Sequence, residues 1–389
     1  MTETADAIII GAGVHGASLA FHLARRGLKP TVLEQHAVAA GATGRSSGLV
    51  RMHYDIETDA RLAWASFPYF RDWGERVGGD CGFTRTGFLQ LVRPAFYDRL
   101  RANVAMHQRI GIPSLVVSAD DVRRLAPTIA IEEGAVAAFE PESGYADPTA
   151  TATGFLAAAR GVGAHLVQGC RVSGVTVEGG RVSGVETDRG SYSAPIVVDC
   201  AGAWAAGIGR MVGLELPVDV WRHDTAYIRR PPEMGTSHPT VIDDENALYF
   251  RPEGRELTLV GLEDGSEIGG SPDRETASTG AGFGERVAER ITARLPAMAA
   301  GTLHSAHSGQ DGITPDQRAI IDRAGPDGFY LACGFSGTGF KTAPAVGACL
   351  SELICDGRAS TVDVTPFSLR RFAEGRPLVG EQPYERIWR

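Results

Sequence analysis

Three glycines carry the first chemical signal. Gly11, Gly13 and Gly16 stand in the spacing Gly-x-Gly-x-x-Gly, with Val14 and His15 between the last two, directly after the apolar run Ala7-Ile8-Ile9-Ile10. Glycine at these positions permits a tight turn and brings backbone N–H groups close to a pyrophosphate, at a helix start whose dipole favours the anion. Glu34, followed by Gln35, ends the next apolar run about twenty residues on, where an acid binds ribose hydroxyls. A second polar loop comes at once: Gly41-Ala42-Thr43-Gly44-Arg45-Ser46-Ser47-Gly48. Hydroxyls and an arginine directly behind the acid suit a further ligand-contacting loop. Far along the chain, Gly334-Phe335-Ser336-Gly337-Thr338-Gly339-Phe340-Lys341 forms another glycine-rich turn.

These residues need elements to position them. Ala7 to Ile10 reads as a strand, 17–26 as a helix stopped by Gly27, and Pro30 to Glu34 as a second strand, which completes a βαβ unit. Helices are expected at 67–76, 94–110, 284–295 and 343–355, and strands at 87–92, 196–200, 247–250, 256–261 and 329–333. Arg171-Val172-Ser173-Gly174-Val175 recurs as Arg181-Val182-Ser183-Gly184-Val185 around Glu178-Gly179-Gly180, a hairpin with a glycine turn.

Composition bounds the function. With 389 residues, the chain exceeds one small domain and buries a core without disulfides. A formal charge of −9 argues against nucleic acid as a partner. The six cysteines show no CxxC pair and no histidine-rich neighbourhood, so neither a disulfide framework nor a metal site is expected. No apolar run is long enough for a membrane span and the N-terminus shows no leader pattern, so a soluble, cytoplasmic protein is expected. Only two lysines occur, Lys29 and Lys341.

Four segments, 11–16 with Glu34, 41–51, 197–204 and 334–341, resemble in order the flavoprotein family of D-amino acid oxidase, glycine oxidase and sarcosine oxidase. Gly334 to Lys341 and Leu49-Val50-Arg51-Met52-His53-Tyr54 are most similar to the sarcosine oxidase branch. The resemblance implies an α/β fold: a doubly wound FAD-binding domain plus an antiparallel-sheet substrate domain. The expected division is discontinuous, with 1–60, 146–215 and 305–389 for FAD and 61–145 and 216–304 for substrate. FAD contacts are implied for 11–16, Glu34, Gln35, Thr43 to Gly48, Val172, Ala201, Gly202, Trp204, and Gly334, Phe335 and Gly337 to Lys341. A glycine turn entering a helix would face the flavin's N1–C2=O edge, where reduction places negative charge.

The resemblance further implies that Arg51 and Lys341 bind a substrate carboxylate, with His53 and Tyr249 as candidate acid–base residues. His53 reads equally as a structural histidine. Three positions depart from the branch. Thr258 or Leu259 stands where a lysine over the flavin aids reaction with oxygen, Glu263 replaces a histidine, and Gly309 falls where a cysteine tethers the flavin. FAD is therefore expected to be non-covalent.

The expected activity is oxidation of a C–N bond in an amino acid, N-substituted amino acid or amine to an imine, by hydride transfer to flavin N5. O2 or another acceptor would re-oxidise the flavin. The alternatives are a flavin hydroxylase, a 2-hydroxy acid oxidoreductase, and a flavin-bearing subunit of a larger complex. Against the hydroxylase, 317–322 lacks the Gly-Asp pair usual there.

Overall fold

A computed structural model describes residues 3–274 and 278–384. Its six-stranded sheet runs in the order His165–Gln168, Pro30–Glu34, Ala7–Ile10, Val197–Asp199, Phe329–Cys333, Ile320–Arg323. Every pair is parallel except the last. Ala7–Ile10 and Phe329–Cys333 are buried at every position, as strands covered on both faces must be, which is why they read as continuous apolar runs. Helix Val14–Arg25 lies between helices Gly339–Asp356 and Pro148–Arg160.

A nine-stranded sheet adjoins it. Its order is Glu267–Ile268, Asp219–Arg229, Leu257–Leu262, Leu248–Glu253, Thr240–Asp243, Phe88–Leu91, Val136–Glu140, Leu115–Ser118, with Thr302–Ile313 also pairing along Asp219–Arg229. The glycine-turn hairpin forms as Val172–Glu178 against Arg181–Thr187. Leu49–Val50, Gly144–Tyr145 and Thr84–Arg85 make a small separate sheet. No helix among the described residues is long and apolar enough to cross a membrane.

Two helices depart from expectation. The helix expected at 67–76 is instead Glu57–Arg71, followed by a short turn of helix at Trp73–Arg76. Its first half looks polar in sequence because Asp59 is buried there, held 3.0 Å from Arg318, which also binds Asp55 at 2.8 Å. The helix expected at 343–355 begins earlier, as Gly339–Asp356, with Pro344 inside it. Proline removes one N–H from the ladder. Ser66, on the neighbouring helix, braces this turn: its hydroxyl donates to Thr342 C=O at 3.0 Å and accepts from Ala345 N–H at 2.9 Å.

Candidate active site

A cavity of about 310 Å³ opens along the carboxyl edge of the parallel sheet and runs under the nine-stranded sheet. One end is built by the first glycine loop. Gly11 has φ +104°, and a Cβ there would stand 2.6 Å from the Cys200 carbonyl oxygen; one on Gly16 would stand 2.0 Å from the Gly11 carbonyl oxygen. Only glycine lets strand and helix approach this closely. Glu34 lines the rim, its two oxygens accepting from Ala12 N–H and His36 N–H at 2.8 Å each. The second loop is fastened over the helix start by Thr43, whose hydroxyl accepts from Val14 N–H at 3.0 Å. His15 stacks flat on Phe335, ring centroids 3.5 Å apart, and burial pushes its imidazole down to about 3, so it adds no charge.

The far end is closed by the C-terminal glycine turn. Asp311 pins it, one carboxylate oxygen accepting from Gly337 N–H and the other from Gly312 N–H, both at 2.8 Å. Burial pushes the Asp311 carboxyl up. Thr338 sets the start of the following helix and donates its hydroxyl to Phe335 C=O at 2.7 Å.

Most of the expected contact residues line this cavity: Gly11, Gly13, Val14, His15, Glu34, Gln35, Thr43, Arg45, Ser46, Ser47, Val172, Ala201, Gly202, Trp204, Phe335, Gly337, Gly339 and Phe340. Gly16, Gly44, Gly48, Gly334 and Thr338 stand behind the lining and shape its loops. At Gly48, for example, φ is +68° and a Cβ would lie 2.2 Å from the Ala146 carbonyl oxygen.

Of the four residues expected to act on substrate, only Tyr249 lines the cavity. Arg51 and Lys341 are brought together from opposite ends of the chain, but behind the lining, around the buried Tyr54 ring. The Arg51 guanidinium lies 4.5 Å from that ring centroid and the Lys341 ammonium 5.8 Å. Burial first, then the charge of Arg51, holds Lys341 well below the usual lysine range; Asp59 and Asp311 oppose that shift. His53 is placed away from the cavity, against expectation for an acid–base residue. It is almost fully buried and its Nε2 is 2.9 Å from the Tyr384 hydroxyl.

Sequence reading missed His223. It lines the cavity with its Nε2 3.0 Å from the Tyr249 hydroxyl and its Nδ1 3.3 Å from the Ser266 hydroxyl. Burial pushes the imidazole down to about 4 and the Tyr249 phenol up, so the pair is neutral. Alternation along Asp219–Arg229 was the available signal, since Trp221 and His223 both face the cavity. Beneath the pair, Leu259 packs with Tyr249, Leu49, Phe88 and Ile242, while Thr258 is occupied by His238 Nε2 at 2.9 Å. Gly309 lines the cavity beside Arg45 and offers no side chain for a covalent bond.

The sequence matches the family profile described as FAD dependent oxidoreductase (DAO) over residues 6–353. The chain belongs to this family. The cavity fits the FAD for which that family is named, with a glycine cradle and Glu34 at one end and a pinned glycine turn at a helix start at the other. The chain is 29% identical to mitochondrial sarcosine dehydrogenase of Mus musculus over 396 residues, covering 96% of this chain but 42% of that relative. Among solved structures, L-proline dehydrogenase from P. horikoshii superposes with a TM-score of 0.90 at 27% identity, covering 97% of this chain and 100% of that one. Glycine oxidase from Geobacillus kaustophilus gives 0.83 at 25%, covering 95% and 99%.

Proposed function

We propose that this chain oxidises the C–N bond of an amino acid or N-substituted amino acid to an imine, with the substrate carboxylate held by Arg51 and Lys341. One observation carries the reading: two basic side chains from opposite ends of the chain are buried around the Tyr54 ring next to the turn that closes the cavity. A carboxylate between an arginine fork and an ammonium is doubly charge-assisted, and it fixes the α-carbon. FAD, when bound, supplies the two-electron acceptor. Residues 11–16 and Glu34 would hold its adenosine diphosphate part, and Asp311 would keep the 334–339 turn in place at the other end.

His223 and Tyr249 serve the amine. Their shared proton presents hydrogen-bonding capacity without a net charge that would repel an amine or hold it protonated. Leu259, packed against Tyr249, stands where the sarcosine oxidase pattern has a cation, which favours a dehydrogenase-type acceptor over O2. Likeness to proteins named for sarcosine, proline and glycine supports small α-amino acids with a primary or secondary amine. The test is anaerobic mixing with amino acids, N-methyl amino acids, hydroxy acids and NADPH while flavin absorbance is followed. Bleaching by amino acids supports the proposal; bleaching only by hydroxy acids or only by NADPH overturns it.

A further inference from the structure

Outside the cavity lining, three side chains from three distant stretches converge. His53 follows the Leu49–Val50 strand, His107 sits on helix Tyr97–Arg109, and Glu140 ends strand Val136–Glu140. Their exposures are 1%, 0% and 0%. Each has one polar atom engaged. His53 Nε2 meets the Tyr384 hydroxyl at 2.9 Å, and His107 Nε2 meets the Tyr54 carbonyl at 2.8 Å. One Glu140 oxygen accepts from Met52 N–H at 2.9 Å and from the Ser143 hydroxyl at 2.6 Å. Each also has one polar atom with no hydrogen-bond partner: His53 Nδ1, His107 Nδ1 and Glu140 Oε1. One ligand atom from each of the three residues lies within 4.8 Å of the others. Burying an unpartnered polar atom is costly, and a ligand held by this cluster removes the cost.

We propose that His53, His107 and Glu140 bind a divalent transition-metal ion of the Zn2+ class, which fixes the segment carrying Arg51. Two imidazoles and a carboxylate are a recurrent donor set for such ions. The engaged atoms provide the outer contacts metal-binding residues require, because the second nitrogen of each ring is held by a hydroxyl or a carbonyl. Arg51, which donates to the His53 carbonyl, sets its positive charge against the ion, and the Glu140 carboxylate opposes that charge. None of the three residues lines the cavity, so the ion is structural: it clips residues 52–54 to a helix and a strand.

The test uses the purified full chain with its flavin. Dialysed protein is expected to carry about one divalent ion per chain by elemental analysis. After chelation, added Co2+ is expected to give ligand-field bands to the red of the flavin. His107→Gln and Glu140→Gln should each lose the ion while keeping the flavin spectrum. Neither reading depends on which compound is oxidised. Protein that retains no ion and gives no Co2+ bands overturns the proposal and leaves the cluster a buried water site. Equal ion content in wild type and both variants also overturns it, since the ion would then lie elsewhere. Should the variants fail to fold, the Co2+ spectrum of the wild type decides.

Discussion

Replacing Lys341 by methionine removes one charge from the proposed carboxylate clamp and little else. The thioether fills the space of the buried lysine stem next to Tyr54, so a cavity is not introduced. Losing one charged partner in a desolvated site costs about 2–5 kcal/mol of binding. The structure argues for the lower end. Burial and Arg51 hold the Lys341 pKa down, so keeping it protonated for the acid offsets part of the attraction. A loss of about 2 kcal/mol corresponds to about a 30-fold rise in Kd. Anaerobic flavin reduction gives that Kd for an amino acid and for its methyl ester, in wild type and variant. The acid is expected to weaken by that factor and the ester far less, with flavin content unchanged. The wild type should also bind the acid more weakly as pH rises through the depressed Lys341 pKa, because only the ammonium attracts the carboxylate; Lys341→Met should lose this dependence. Equal losses for acid and ester, or none for either, would refute the clamp.

Three further outcomes are expected. Acid precipitation should leave the yellow colour in the supernatant, because Gly309 provides no tethering atom; colour in the pellet contradicts this. Reduced flavin should re-oxidise slowly in air-saturated buffer, since Leu259 and not a cation stands under Tyr249, and rapid stopped-flow re-oxidation would count against that account. Asp199 is fully buried with one carboxylate oxygen unpartnered, and burial raises its pKa from 3.8 to about 7. The folded state then holds a proton that the unfolded state releases between about pH 4 and 7, so this group lowers stability as pH rises across that window and no further above it. Asp199→Asn should therefore raise the melting temperature relative to wild type by an amount that grows from pH 4 to 7 and then levels off. A difference that does not vary with pH would sink that assignment.

The dinucleotide end was legible because its determinants are local. Gly11, Gly13, Gly16 and Glu34 lie in one βαβ unit, where turn, helix and strand must coincide for the spacing to have meaning. The end proposed for substrate was legible only in part. His223, Tyr249 and Asp311 meet through strands whose pairing no local period specifies, and a histidine on a half-buried strand has no sequence mark until its neighbour is known. Arg51 and Lys341 were found as a pair, but their seat behind the lining depends on Tyr54, which sequence treated as incidental. The early start of helix Glu57–Arg71 was hidden by Asp59, a buried acid that reads as a surface residue until Arg318 arrives from far along the chain.

The central strand Val197–Asp199 hydrogen-bonds to Ala7–Ile10 on one side and to Phe329–Cys333 on the other. On the ribosome, the N-terminal glycine cradle therefore emerges long before the strand that completes its sheet, and Lys341 emerges later still. While the residues between Asp199 and Phe329 are made, one edge of that middle strand is unpaired, an edge prone to wrong partners until the later strand docks. Cofactor retention thus reports on the arrival of this late segment: truncation before Phe329 removes a sheet neighbour, the pinned turn and Lys341 in one stroke, so fragments should emerge colourless.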